Sequence, residues 1–295
     1  MTDKALGRLR EVERLGEVKA SAEHRSLASP NLPNLPNHAI FTRVFPYKDE
    51  NPTELTPLST VGLIAINVLA WLFVQGAGAT DQALAQSVCH YGLIPGEVLR
   101  TVAPGTAVPV GPNMQCVIDA APHWWTLLTS MFMHGGWFHL ITNMWFFWVF
   151  GNNIEDSMGH GRFVVFYLLC GLAAAATQML VSPKSAVPMV GASGAISGVM
   201  GAYVLLYPRV RVHTLVFLGF FVTTIALPAY VMLGYWFLLQ LLGGTASALS
   251  QVEGGVAFWA HVGGFVAGMI LIKLFANAEF LERRRAGVLI APRGA

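Results

Sequence analysis

The sequence predicts an all-α, polytopic membrane protein built as a bundle of six transmembrane helices. Of the 295 residues, 54% are hydrophobic and only 12% are charged, whereas soluble domains have roughly 25% charged residues. A chain this apolar lacks the polar surface to cover itself in water, which excludes a disordered chain, a nucleic-acid binder and an ordinary cytosolic domain. The apolar residues also fall in separate runs, several near the roughly 20 residues that a helix needs to cross a bilayer.

The first 58 residues differ from the rest in composition. They contain nearly half of the 18 Lys and Arg, half of the 16 Asp and Glu, and a repeated Leu-Pro-Asn motif, whose prolines favour extended backbone. No short apolar run follows a basic start, so no cleaved signal peptide is predicted. We interpret residues 1–58 as a cytoplasmic polar tail with a Pro/Asn-rich linker; a tail without a specific role is the alternative.

Residues 59–275 are predicted to form the membrane domain, followed by a short basic cytoplasmic tail at residues 276–295. The predicted spans are residues 59–76, 136–152, 162–181, 192–207, 229–245 and 256–275. A further apolar run at residues 214–227 is short and ends at Pro228. We interpret it as an interfacial or re-entrant connection; a seventh transmembrane helix is the competing interpretation.

The distribution of charge predicts the orientation. With six spans and the tail inside, every Lys and Arg except Arg100 and Lys184 lies on the inner side, as the positive-inside rule favours. A seventh span would export the arginines at residues 283–285. We therefore expect an integral protein of the bacterial plasma membrane with both termini in the cytoplasm.

The predicted outer segment, residues 77–125, contains Cys89 and Cys116. An oxidising compartment permits a disulfide between them, and two free thiols remain the alternative. Cys170 lies in the middle of a span, where a packing role is expected.

Three clusters of polar and small residues interrupt the spans. Polar groups inside a membrane are costly and are therefore candidates for function. Taken singly, each cluster has a structural explanation: small residues four apart serve close helix packing, and a lone histidine can be hydrogen-bonded within the bundle. The residues concerned are His134, His139 and Asn143; Gly191, Ser193, Gly194, Ser197 and Gly198; and His261, Gly264 and Gly268.

Together the clusters contain the components of nucleophilic catalysis. A serine nucleophile needs a base, and Ser193 and His261 lie on different spans that are both bordered by glycines. Ser193 is near the start of its span, where free backbone N–H groups and positive potential would stabilise an oxyanion. His139 and Asn143 are four residues apart, hence on one helix face, and offer further donors.

No acidic residue is placed to orient the base. Glu155 and Asp156 fall at the inner end of the second span, and Glu253 is in an outer loop. We therefore predict a Ser–His dyad rather than a triad.

In these motifs the chain resembles the rhomboid family of intramembrane serine proteases. The resemblance covers about residues 45–275. It rests on Gly191-Ala192-Ser193-Gly194, on His261-Val-Gly-Gly264 with Gly268, on the pattern formed by His134, His139 and Asn143, and on residues 151–159, which are similar to the family's turn between the second and third helices.

The resemblance implies roles and a substrate class. Ser193 would be the nucleophile and His261 the general base, while His139, Asn143 and the Ser193 backbone N–H would form the oxyanion hole. Single-pass membrane proteins would be cut in or near their membrane segment, with small residues before the cut and helix-breaking residues after it. The fifth span would act as a lateral gate.

Two positions depart from the family pattern. Thr126 stands where members often have an arginine after tryptophan, which puts a loop-stabilising role in doubt. Ser197 stands where some members place a tyrosine stacked under the base. The base would then be held by another group or held less tightly, and Ser197 could compete for a hydrogen bond to it.

Two other function classes remain as alternatives. A non-proteolytic relative that binds membrane proteins would typically lack the nucleophile or the base, and this chain keeps both. A transporter would be expected to show paired charges or broken helices from internal repeats. No metal-ligand spacing and no phosphate-binding loop is found in the sequence, so we expect neither a metal nor a cofactor.

Overall fold

The computed structural model describes residues 44–111, 114–218, 221–250 and 256–283. Most of the predicted tails therefore lies outside the described residues. The described part is mostly helical. In chain order its helices are α1 Leu58–Leu69, continued by a π-helical turn Ala70–Val74, α2 Asp81–Tyr91, α3 Pro95–Val98, α4 Thr126–Thr129, α5 Trp137–Met158, α6 His160–Val181, α7 Ser193–Leu206, α8 Ala229–Ser250 and α9 Phe258–Phe275.

Each of the six predicted spans coincides with one of these helices. Three helices among the described residues are long and apolar enough to cross a membrane, namely α6, α8 over Ala229–Leu249, and α9. The apolar helices Leu58–Val74 and Ser193–Leu206 are shorter, and α5 carries several polar residues. The chain is thus an integral membrane protein, and the number of crossings stays a prediction.

The chain is not all-α, because its described residues also form two small antiparallel sheets. One has the order β1-β4-β5, with β1 at Val44–Asp49, β4 at Arg211–Leu218 and β5 at Phe221–Pro228. The other pairs β2, Ala107–Gly111, with β3, Met114–Val117. The β4–β5 pair occupies the apolar run before Pro228, so the interpretation as a seventh helix is wrong. Its Val, Thr and Ile residues are β-branched and fit a pleated sheet better than a helix.

Two carboxylates at the end of α5 fix the start of α1. Glu155, fully buried, accepts hydrogen bonds from the backbone N–H groups of Ser59 and Thr60 at 2.7 and 2.8 Å. Asp156 accepts one from the backbone of Leu55 at 2.8 Å. Acceptors at a helix N-terminus satisfy N–H groups that have no partner within the helix. These two acids therefore serve the fold at the end of α5 away from Ser193 and His261.

Close backbone contact joins α7 to α9. A Cβ atom added to Gly264 or Gly268 would collide with the carbonyl oxygen of Gly194 or Gly198, respectively. On its other side, α7 packs against α6, where a Cβ on Gly194 would lie 2.7 Å from the Cβ of Ala174. Only residues without a side chain allow this approach, which is the packing expected of small residues in membrane helices.

The segment before α7 is hydrogen-bonded to the predicted outer segment. Leu93 and Met189 exchange two backbone hydrogen bonds of 2.9 and 2.8 Å, and the backbone N–H of Gly191 donates to the carbonyl of Ser130 at 2.9 Å. Cys89 and Cys116 form a disulfide with their Cα atoms 5.3 Å apart, which decides between the two alternatives for these thiols. The approach of the chain to Ser193 is thus held by bonds from several segments.

Candidate active site

The first residue of α7 faces the first turns of α9. The Oγ atom of Ser193 lies 2.7 Å from Nε2 of His261, although the two residues are 68 positions apart in the sequence. Both side chains are partly exposed. The glycine contacts between α7 and α9 bring these backbones close enough for a serine and a histidine to meet. The structure therefore brings together the two residues predicted as nucleophile and base.

The other ring nitrogen of His261 meets a residue of α8. Nδ1 lies 2.8 Å from Oε1 of Gln240, a side chain that is only 3% exposed. An amide oxygen only accepts hydrogen bonds, so Nδ1 carries the proton in this arrangement. In the neutral ring Nε2 is then unprotonated and accepts the hydrogen bond from the Ser193 hydroxyl.

His139 near the start of α5 has the opposite tautomer. Its Nδ1 accepts a hydrogen bond from the backbone N–H of Gly135 at 3.2 Å, which leaves the proton of the neutral ring on Nε2. A Cβ built on Gly191 would lie 2.8 Å from this Nε2 and 3.6 Å from the Oγ of Ser193. The Nε2–H donor of His139 therefore lies on the same side of Gly191 as the serine hydroxyl.

Gly191 combines a conformational and a steric requirement. Its φ of +128° is one that residues with a side chain rarely adopt, and the space beside its Cα is filled by the His139 ring. Glycine is thus needed for the turn that delivers the chain to α7.

Asn143 and Ser197 both bond to the backbone one turn earlier. The Asn143 amide donates to the carbonyl of His139 at 2.8 Å, which uses one of the two hydrogens on its nitrogen. The hydroxyl of the buried Ser197 donates to the carbonyl of Ser193 at 2.6 Å. The Ser197 hydroxyl therefore bonds to the helix backbone and not to His261.

His134 is buried behind His139. Its ring is fully buried, lies edge-on to the His139 ring at 5.2 Å between centroids, and has no hydrogen-bond partner at either nitrogen within the described residues. Burial lowers the pKa of His134 to about 3, so the ring is neutral at physiological pH. Its backbone is fixed by Gln75, which bonds to both the N–H and the carbonyl of His134 at 2.7 Å.

The sequence reasoning missed Gln240 and its neighbour Trp236. The Trp236 ring lies 5.8 Å from the His261 ring, tilted by 42°. Polar groups in a membrane span are candidates for function. This rule singled out the serine and the histidine, and it would also have selected Gln240.

The departures at Ser197 and Thr126 have local explanations. Thr126 is buried, and its hydroxyl donates to the carbonyl of His123 at 2.6 Å.

Among the residues that the structure describes, no group of three or more His, Cys, Asp or Glu residues is arranged to hold a metal ion.

Comparison with known proteins gives a consistent set of relatives. The model of the Rhomboid domain matches residues 121–278, just over half of the chain. The rhomboid protease GluP of Bacillus subtilis is 32% identical over 163 residues, which cover 55% of this chain and 28% of that protein. Rhomboid-like protein 11 of Arabidopsis thaliana, a chloroplast protein, is 28% identical over 164 residues, covering 53% of this chain and 54% of its own length.

A mitochondrial relative shows a similar identity and coverage. Rhomboid protein 1 of Saccharomyces cerevisiae is 26% identical over 165 residues, which cover 54% of this chain and 44% of that protein. The chain thus spans about half or less of the length of these relatives.

Proposed function

Because the chain belongs to the rhomboid family, we propose that it is an intramembrane serine endopeptidase. Its substrates in this proposal are single-pass membrane proteins, which it cuts in or near their membrane segment. The observation that carries the proposal is the 2.7 Å hydrogen bond between Ser193 on α7 and His261 on α9. A hydroxyl is a weak nucleophile until a base takes its proton, and this pair supplies both groups.

The proposed reaction follows from the positions of the protons. Ser193 Oγ attacks the scissile carbonyl carbon while His261 Nε2 takes the hydroxyl proton. The negative charge on the carbonyl oxygen is stabilised by the Nε2–H of His139, the Asn143 amide and the free backbone N–H of Ser193 at the start of α7. His261 then returns the proton to the leaving amine. Water hydrolyses the acyl-enzyme, again with His261 as the base.

The same chemistry explains the proposed preference for weak helices. In a helix each peptide carbonyl is hydrogen-bonded and shielded, so the substrate segment must unwind before Ser193 can reach its carbonyl carbon. Helix-breaking residues after the cut reduce that cost. In this proposal α8 is the lateral gate through which the segment enters.

We also propose that the Ser193 end of the bundle faces outward in a bacterial plasma membrane, with both termini in the cytoplasm. Two independent observations support this orientation. Nearly all Lys and Arg fall on the other side of the predicted topology, and the segment tied to the approach of α7 contains the Cys89–Cys116 disulfide, which needs an oxidising compartment.

Cleavage of a membrane substrate in liposomes tests the proposal. Ser193→Ala and His261→Ala should each lower kcat by about 10⁴-fold or more, because nucleophile and base act as a unit. Ser197→Ala is the matched control, since it removes a serine hydroxyl one turn along α7 and should leave cleavage intact. A fluorophosphonate probe should label wild-type protein and Ser197→Ala, but not Ser193→Ala.

Either of two results would overturn the proposal. Undiminished cleavage by Ser193→Ala would exclude this serine as the nucleophile. A folded wild-type protein that neither cleaves nor reacts with the probe would favour a binding or transport function.

A further inference from the structure

The base of the proposed site is held from a third helix. Gln240 lies on α8, and its Oε1 atom is 2.8 Å from His261 Nδ1. Neither α7 nor α9 provides this bond. A buried polar group in a membrane helix is expected to have a specific partner, and here the partner is the imidazole that faces Ser193.

The contact determines which nitrogen of His261 can act as a base. A neutral imidazole carries one proton, and a general base for Ser193 must have its lone pair on Nε2. With the amide oxygen of Gln240 as acceptor, the proton stays on Nδ1 and Nε2 is available to the serine hydroxyl. With no acceptor at Nδ1, the proton could move to Nε2, and the ring would then donate to Ser193 instead of activating it.

A second residue of α8 packs against the same ring. Trp236 is four residues before Gln240, hence on the same helix face, and its ring centroid lies 5.8 Å from that of His261. Trp236 and the adjacent Phe237 also contact the ring of Phe265, one turn along α9, at 6.2 and 4.7 Å. One face of α8 therefore provides both a hydrogen-bond acceptor and an aromatic neighbour to the base.

We propose that Gln240 is a positioning residue that fixes the tautomer and orientation of His261, so that the base is competent only while α8 is packed against α9. The inference rests on the proposed function and adds a third group to the predicted dyad. Gln240 acts through His261 and does not contact the reacting atoms. Since it is neutral, it orients the imidazole without the charge that an aspartate would supply to stabilise imidazolium.

Two substitutions separate this role from packing. Gln240→Met keeps the length of the side chain and removes the acceptor, so kcat should fall roughly 10- to 100-fold while KM changes less than about twofold. Gln240→Glu restores an acceptor and should recover kcat to within about tenfold of wild type. Its carboxylate should also move the acid limb of the kcat profile to higher pH by about one unit or more, because a negative charge at Nδ1 favours the protonated ring.

Few other groups can contribute to the shift of the acid limb. Of the described side chains, the Ser193 hydroxyl on α7 faces His261 directly, and His139 of α5, across the site, is the titratable neighbour. Neither is changed by the substitutions, and Trp236 does not titrate.

Gln178→Met is the matched control. Gln178 of α6 accepts a hydrogen bond from the backbone N–H of Ala260 at 3.2 Å, so its loss removes a glutamine bond to the same turn of α9 without touching the imidazole. We expect the acid limb of Gln178→Met to match that of wild type. A thermal unfolding measurement first establishes that each variant is folded. The kcat profiles are then compared in liposomes.

The tautomer can also be measured without any substitution in α8. In ¹⁵N-histidine-labelled wild-type protein, with His261→Ala used for assignment, the His261 signals above the acid limb should be those of a protonated Nδ1 and an unprotonated Nε2. The reverse pattern would overturn the inference even if the Gln240 variants fail to fold.

The outcomes distinguish this inference from the proposed function. If Ser193→Ala is inactive and folded Gln240→Met has wild-type kcat, only the role of Gln240 is wrong. If Gln240→Glu is folded and as slow as Gln240→Met, the role of Gln240 is packing and the inference fails. Cleavage by Ser193→Ala would remove the proposed function itself.

Discussion

The two histidines beside Ser193 are distinguished by what each Nδ1 atom meets. The Nδ1 of His261 faces the acceptor oxygen of Gln240, and the Nδ1 of His139 faces the donor N–H of Gly135. His261 therefore presents a lone pair at Nε2 and His139 presents a proton. Identical side chains are thus suited to opposite tasks, one to remove a proton and the other to stabilise negative charge.

His139 should contribute to rate more than to substrate binding. Its Nε2–H is proposed to bond the oxyanion, which exists only after Ser193 attacks, so His139→Ala should lower kcat by about 10²- to 10³-fold with little change in KM. The measurement is steady-state cleavage in liposomes. His90→Ala, which removes an exposed histidine from α2, is the control, and equal effects of the two substitutions would contradict a role in the oxyanion hole.

Activity should fall on acidification. A protonated His261 cannot accept the Ser193 proton, so kcat should decline once the pH is low enough to protonate this ring. His134 cannot cause this loss, because its pKa, lowered by burial to about 3, keeps it neutral throughout. The check is kcat from pH 8 down to about pH 4 in liposomes. A flat profile would argue against His261 as the base.

At the level of elements, the junction of α7 and α9 determines the geometry of the site. Ser193 is on one helix and His261 on the other, and their contact depends on backbones that touch at Gly194, Gly198, Gly264 and Gly268. The sequence offered two interpretations of these glycines, packing or motif. The structure shows the packing directly, and the proposed catalytic role depends on it.

Adding a methyl group at this junction should separate the helices. A Cβ at Gly268 would overlap the carbonyl of Gly198, so Gly268→Ala should lower the free energy of unfolding by about 1–3 kcal/mol and slow fluorophosphonate labelling of Ser193. Gly234→Ala on α8 meets nothing within 4 Å and serves as the control. Thermal unfolding in detergent and labelling rates measure the two effects. Equal behaviour of both variants would show that the contact is not tight.

The segment between α7 and α8 is one whose secondary structure hydropathy alone does not identify. An apolar run of 14 residues is too short for a confident span, and helix and strand are hard to separate by hydropathy alone at this length. The strand assignment depends on pairing. β4 has β5 on one side and β1, from the predicted N-terminal linker, on the other, and no property of residues 214–227 indicates that distant partner.

For the whole molecule, the disulfide and the charge distribution test the same orientation. Cys89 and Cys116 lie in the segment that is bonded to the approach of α7, so the proposed active site and the disulfide share one end of the bundle. The basic residues predict that this end faces away from the cytoplasm.

A membrane-impermeant phosphine should therefore reduce the disulfide in intact cells. Subsequent treatment with a maleimide-linked polymer should shift the protein through Cys89, which is partly exposed, whereas the buried Cys170 stays unlabelled under native conditions. The Cys89→Ser/Cys116→Ser variant should not shift. Labels that appear only after the cells are lysed would place this end in the cytoplasm and contradict the proposed topology.

The sequence by itself determined the class of molecule, its family and the identity of the polar residues. Hydropathy, charge sidedness and the spacing around Ser193 and His261 are local properties that can be counted along the chain, and the predicted family is confirmed. Only the tertiary structure decided that Gln240 meets His261, that the two histidines have opposite tautomers, that Cys89 pairs with Cys116, and that β1 joins β4. Each of these depends on how distant segments rotate and pack against one another, and that is set by the fit of whole surfaces rather than by any local pattern.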